Sequence, residues 1–316
     1  MEPQVVRGDN RARRGPLARP ALRGSPVSRS RRLPYPARMP AMGAWKAADL
    51  LTAAYLLGLV ALLLLSRDRL KHPARLLVTY LVLLALQAAI AVGRGLGLSP
   101  FIAAFFPIVP VLAIYASLGF IPELNPRDRD PALRRLDRAV FGVDPSVWMD
   151  RYARPWITEA MQLAYLAYYV LPFVLLGTLY RRGEEQAFDR SLVALLLSHY
   201  LAFIGYMLVP ALGPRFLLAG QYRTGLPGLL IAGPIRALLD ALEGIRRDIF
   251  PSGHTSAILV TAFYAARFTP EMVPWILPIA GLMVLSTVYL RYHYVVDVLG
   301  GALLAAVCVL LARLIQ

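Results

Sequence analysis

The chain has 316 residues, of which 58% are hydrophobic and 17% charged, and its mean hydropathy is +0.55. A soluble domain is about 45–50% apolar and about 25% charged, so these values exclude a soluble globular enzyme and a disordered chain and point to a polytopic membrane protein. The formal net charge is +15, concentrated in residues 1–46, which carry 11 Lys/Arg against 2 Asp/Glu; cytoplasmic flanks and anionic headgroups account for such a balance, and no nucleic-acid partner is expected.

Residues 1–46 hold seven prolines and no apolar periodicity, which reads as a disordered basic tail. No apolar core with a small-residue cleavage site follows, so it is not a secretory signal. A helix needs about 20 apolar residues to cross the hydrocarbon core. By that measure 47–65 and 74–93 are two N-terminal spans. Residues 101–120 are apolar but contain Pro107 and Pro110, predicting a kinked span or a re-entrant piece. Further spans are expected over 157–180, 189–210, 254–268, 272–290 and 294–314. The expected fold is all-α, a transmembrane helical bundle of eight spans, or seven if 101–120 does not cross. Residues 94–316 are expected to form the main membrane domain, which holds the remaining spans and both long connections. Trp45, Trp148, Trp156 and Trp275 fall near span ends, as interfacial aromatics do.

Two long connections carry apolar stripes at helical spacing. Leu133, Leu136, Val140 and Phe141 predict an interfacial helix near 131–142. Ile235, Leu238, Leu239, Leu242 and Ile245 predict another near 233–248. Cap helices packed on the bundle are the alternative. The single cysteine, Cys308, lies in the last apolar run and reads as a small core residue; it permits neither an internal disulfide nor a Cys metal cluster.

Counting spans back from the C-terminus sets the topology. The short hairpin joining 254–268 to 272–290 places His254 and His293 at the same end. The connection 211–253, with Gly213-Pro214-Arg215-Phe216, opens there too. With eight spans the termini share a side, and the basic tail argues that this side is cytoplasmic. The converging residues then face the extracytoplasmic side.

Ionisable side chains at span depth are functional candidates by default. His293 and Asp297, four apart in RYHYVVD, share one helical face, where the carboxylate can fix the imidazole tautomer and leave the other nitrogen to attack or take a proton. The stretch Phe250-Pro251-Ser252-Gly253-His254-Thr255-Ser256 opens a helix. Its first N–H groups and dipole attract an anion, Gly253 lets a ligand approach the backbone, and His254 stands where a leaving oxygen could take its proton. Arg215 and Arg291 offer planar forks for phosphate oxygens. Each feature alone has a bland reading: an incidental pair, a capped helix start, a snorkelling arginine. Together they form an oxyanion cradle with a nucleophile and an acid, the equipment of phosphoryl transfer. These residues require no metal and no cofactor. Zinc on His254, His293 and Asp297 is the alternative, disfavoured because the arginines would repel a cation. His199 reads as a buried hydrogen-bonded residue or a substrate contact, and Tyr165, Tyr168 and Tyr169 as helix core or a lipid contact.

Phe250-Pro-Ser-Gly-His254, followed 39 residues later by His293-x-x-x-Asp297, resembles the type-2 phosphatidic acid phosphatase (PAP2) superfamily. YLRYHYVVDVLGG, the GPRF element and LDRAVFGVDPSVW look like its branch containing inositol phosphorylceramide synthases. The resemblance implies a six-helix catalytic core and a phosphohistidine mechanism. His293 would be the nucleophile, Asp297 its orienting partner and His254 the acid, with Arg215, Arg291, Ser252 and Gly253 holding the phosphate. Two departures stand out. Leu208 occupies the position of the first motif's lysine, with Pro214-Arg215 in reversed order; Ser286-Thr287 stands where the third motif begins Ser-Arg. The implied function is a metal-independent lipid phosphatase or phosphotransferase of a bacterial inner membrane. Its substrate would be a phospholipid, sphingolipid or polyprenyl phosphate. A headgroup transferase is the alternative, and a transporter or proton relay the remoter one, whose ionisable groups should lie mid-bilayer.

Overall fold

Apolar runs bounded by proline and glycine become the helices of this chain in a computed structural model that describes residues 45–242 and 245–315. The basic-tail expectation falls, up to residue 44, outside the described residues. α1 (Ala47–Ser66) and α2 (Pro73–Gly95) form a hairpin locked by a buried polar knot. Asp49 of α1 pairs with Arg94 and accepts from Gln87 Nε2 at 2.6 Å. Leaving any one of these groups unpaired there would cost more than a surface pair contributes. Thr52 and Tyr200 hydroxyls, 3.0 Å apart, tie the hairpin to the rest.

The segment with two prolines is broken, not continuous: α3 (Pro100–Phe105), α4 (Ile108–Ser117) and α5 (Ile121–Leu124). The break falls at Phe106-Pro107, where proline supplies no N–H to continue the ladder. Phe105 packs on Tyr180 and Phe188 at one end of the bundle, and Asn125 donates to the Met207 and Leu208 carbonyls at the other. The piece therefore reaches from one end of the bundle to the other.

Two surface helices follow, α6 (Asp130–Phe141) and α7 (Pro145–Met149), with Gly142 at φ +73° terminating α6. Then come α8 (Pro155–Arg182), α9 (Glu185–Leu208), the single turn α10 (Pro214–Leu217), α11 (Ala232–Leu242), α12 (Gly253–Phe268), α13 (Val273–Tyr289) and α14 (Val295–Ile315). No strand occurs among the described residues. α9 is the central helix, packed by α1, α8, α12 and α14. Six helices (α1, α2, α8, α9, α13, α14) are long and apolar enough to cross a membrane. The count of eight rests additionally on α12, with 16 residues, and on the broken α3–α5 pass.

The surface helices differ from their expected form. α6 turns Leu136, Val140 and Phe141 outward and buries Leu133 with Asp130 and Asp137. Its inner face is acidic because the loops beneath it present backbone N–H groups that need acceptors. α11 ends at Leu242 and does not run to 248. Glu159 of α8 accepts the amides of Leu229, Leu230, Ile231 and Ala232, which fixes the start of α11.

Candidate active site

The N-termini of α12 and α14 meet where α13 ends. Ser252 caps α12, its Oγ accepting from Thr255 N at 3.2 Å, and its own amide donates to the Asp297 carbonyl of α14 at 3.1 Å. The turn between α13 and α14 is folded onto one carbonyl: Thr287 O accepts the amides of Tyr292 and His293, at 2.9 and 3.1 Å. That is the local role of the residue standing in the departed third motif. Two glycines allow the helices this close. A Cβ on Gly301 would collide with the Ser252 carbonyl and lie 3.0 Å from Thr255 Cβ; one on Gly213, at φ +92°, would lie 2.8 Å from the Tyr292 carbonyl. Gly301→Ala is therefore expected to destabilise the protein by about 1–3 kcal/mol, the cost of overpacking. A lowered thermal midpoint in detergent checks this; an unchanged midpoint would show that α14 shifts freely.

This packing sets four side chains in a row. Asp297 Oδ1 lies 3.0 Å from His293 Nδ1, while its Oδ2 accepts the Tyr294 amide at 2.9 Å. His293 Nε2 lies 3.2 Å from His254 Nδ1, and His254 Nε2 lies 2.8 Å from the Tyr165 hydroxyl. Tyr165 O–H to His254 Nε2 and His254 Nδ1–H to His293 Nε2 is one consistent set of protons, and it turns the Nδ1–H of His293 toward the Asp297 carboxylate. Tyr168 lies against His254 with ring centroids 4.4 Å apart and planes tilted by 54°, and its hydroxyl also reaches His199 Nε2 at 3.1 Å. His199 itself is tied to the Leu195 carbonyl.

The acidic face of α6 braces the loops that carry these groups. Asp130 accepts the amides of Leu212 and Gly213 at 2.8 and 2.7 Å and the Tyr294 hydroxyl at 2.9 Å. Asp137 accepts Val295 N and Val296 N, capping α14. Burial raises the Asp137 carboxyl above its usual range, against the two amides that lower it. Sequence reasoning took the apolar stripe of this helix as its message and missed the i, i+7 aspartates, whose spacing marks a single face.

A cavity of about 20 Å³, room for one water, is lined by Arg215, Arg246, Asp248, Tyr165, His254 and His293. Arg215 also pairs with Asp240 at 2.7 Å and lies over the Tyr292 ring. Arg246 and Asp248 were missed; the Arg-Arg-Asp run just before the Phe250–His254 stretch was their only signal. Tyr115 of the broken pass donates to Asp248 at 2.6 Å, and burial raises this carboxyl above its ordinary range.

Three residues assigned to the phosphate stand elsewhere. Arg291, at φ +67°, points away from the cavity: its guanidinium donates to Asp150 at 2.5 Å and to the Thr224 carbonyl at 2.9 Å, under the Tyr222 ring. Its carbonyl accepts the Arg215 amide at 3.0 Å, so it braces the arginine that does line the cavity. The Ser252 hydroxyl is spent within the cap, 3.0 Å from Thr255 Oγ1, and the Gly253 backbone faces the Tyr206 hydroxyl. The Ser252 and Tyr206 hydroxyls thus occupy part of the helix N-terminus expected to be open. No group of three or more potential metal ligands occurs among the described residues.

Comparison with known proteins agrees with this arrangement at the level of the family. A PA-phosphatase related-family protein of Dictyostelium discoideum is 25% identical over 259 residues, covering 70% of this chain and 44% of that protein. The chain thus spans under half the length of that relative. No solved structure matches. The sequence profile of the PAP2 superfamily matches residues 131–311, which include α6 from its second residue, the residues lining the cavity and both histidines. The chain is a helical membrane protein of the PAP2 superfamily.

Proposed function

We propose that this protein is an integral-membrane phosphatase or phosphotransferase acting on a phosphorylated lipid through a phosphohistidine intermediate, without a metal. The observation that carries the reading is the row Asp297–His293–His254, with 3.0 and 3.2 Å contacts. Asp297 holds the Nδ1 proton of His293, leaving the Nε2 lone pair to attack phosphorus. Beside the bound phosphate's negative charge His254 carries a proton on each ring nitrogen; as the N–P bond forms and the P–O bond breaks, the leaving oxygen takes the Nδ1 proton and leaves a neutral imidazole whose Nε2–H faces Tyr165. In the second half-reaction His254 recovers a proton from water or an alcohol, whose oxygen displaces His293. Arg215 and Arg246 receive the phosphate oxygens; Ser252, Gly253 and Arg291 act by placing His254 and Arg215. The His254–His293 contact fills the position of the phosphoryl group, so binding must part the two rings. The polar groups lie at helix ends and not mid-bilayer, with His199 the exception, which disfavours the proton-relay reading. With eight spans, the basic tail argues for an extracytoplasmic site end, and the reading assigns the protein to a bacterial inner membrane.

The test uses purified protein in detergent–lipid micelles with EDTA. It is supplied with phosphatidic acid, and separately with phosphatidylinositol plus ceramide. Phosphate release establishes the hydrolase, and a new phosphorylated lipid without free phosphate establishes the transferase of the synthase-like branch. Inhibition by EDTA, or silence with both substrates and with a polyprenyl phosphate, overturns the reading. Tyr165→Phe is a second check. The hydroxyl it removes holds a buried imidazole and contributes about 1–2 kcal/mol, so kcat is expected to fall about tenfold with KM little changed. An unaltered kcat and pH profile would remove Tyr165 from the mechanism.

A further inference from the structure

We propose that the site end carries a second lipid site, separate from the catalytic cavity and built for one anionic glycerophospholipid. Two continuous grooves form it. The first, about 760 Å³, runs beneath α6 and α7 and is walled by Arg138, Arg151, Arg154 and Arg223. The second, about 450 Å³, is almost wholly apolar and runs between α7 and the facing ends of α13 and α14, past Met149, Val284, Val288 and Val298. The grooves share Val143 and Trp148.

The charge of the first groove is uncompensated. Its two carboxylates are neutralised from behind: Asp144 by Arg134, with both contacts at 2.8 Å, and Asp150 by Arg291. Burial by itself would raise the Asp150 carboxyl; hydrogen bonds from Thr224 and the Arg223 amide, with the Arg291 charge, hold it below its usual value, so it stays ionised and committed to them. Among the described residues Arg138 reaches Asp144 only at 4.0 Å. Arg151 is stacked 4.5 Å over Trp148. Arg154 and Arg223 are exposed. An array of guanidiniums of this kind matches a phosphate diester.

The second groove decides what carries that phosphate. α13 and α14 are apolar enough to span the membrane, so a crevice between their site-end turns lies where they leave the hydrocarbon. Trp148 stands at the junction of charged and apolar walls, the position of an interfacial aromatic. A free anion has no use for an apolar crevice, whereas a lipid of the site-end leaflet fits both parts, headgroup among the arginines and one acyl chain along Val284 and Val288. No residue lining either groove lines the catalytic cavity, so this is not the seat of the reacting phosphate, and the inference does not depend on the proposed chemistry.

Trp148 reports the test. A Trp45→Phe/Trp156→Phe/Trp275→Phe variant keeps it as the only tryptophan. In nanodiscs, phosphatidylglycerol with brominated chains is compared with brominated phosphatidylcholine as a quencher. The anionic lipid is expected to quench at a mole fraction about tenfold lower. Adding Arg154→Gln/Arg223→Gln should abolish most of that preference and leave quenching by phosphatidylcholine unchanged; adding His293→Ala should keep the preference. Equal quenching by the two lipids, a preference that survives the arginine substitutions, or one lost with His293→Ala would overturn the site.

Discussion

Turnover by His293→Ala is expected to fall by about 10⁶, the scale on which loss of a catalytic nucleophile is measured elsewhere, and thus below detection. His293 is 1% exposed, with its two nitrogens committed in opposite directions, Nδ1 to Asp297 and Nε2 toward His254. In the proposed reaction alanine removes the nitrogen that bonds phosphorus. His254 cannot replace it, because its Nε2 is held by Tyr165 and its Nδ1 would be left facing an empty space. Protein incubated with ³²P-labelled phosphatidic acid and quenched in alkaline detergent should carry an alkali-stable, acid-labile phosphate in the wild type and none in the variant. Substantial turnover by the variant would sink the nucleophile assignment.

Asp297→Asn is the second large effect, about 10⁴ in kcat by comparison with the exchange of a triad carboxylate. The carboxylate performs two tasks with its two oxygens, facing the Nδ1–H of His293 and accepting the Tyr294 amide at 2.9 Å. Asparagine has one acceptor oxygen. If it serves Tyr294, its NH₂ confronts the ring and drives His293 to the tautomer whose Nε2 bears a proton and cannot attack. If it serves the ring, the Tyr294 amide loses its partner and α14 loses a cap. The first arrangement keeps the turn intact, so circular dichroism and elution volume should match the wild type while kcat collapses. A rate near that of the wild type would take Asp297 out of the reaction.

Much of the fold was legible because a membrane simplifies the reading. Long apolar runs can do little except span, and the boundaries of α1, α2, α8, α13 and α14 fall within about two residues of the apolar edges, the usual scatter for helix ends. The motifs Phe250–His254 and His293–Asp297 were likewise legible, since an i, i+4 pair lies on one helical face whatever the surroundings. Family membership followed from those motifs and agrees with the profile match over 131–311.

Other features depended on contacts that no local pattern encodes. Arg215 and Arg291 look alike in sequence, yet one lines the cavity and the other turns to Asp150, a residue 141 positions away. Ser252 and Gly253 open a helix in the manner of an anion cradle, but Thr255 and Tyr206 arrive to occupy it. In α6 a buried backbone amide outranks an apolar stripe, because an unsatisfied N–H is costly in a closed interior, and Leu136 and Val140 are left exposed. The helices, their order and the two histidine motifs follow from local composition and helical period, and so can be read residue by residue. Which charged groups face the cavity depends on long-range packing, because a buried charge goes to whichever partner the fold brings within hydrogen-bonding distance.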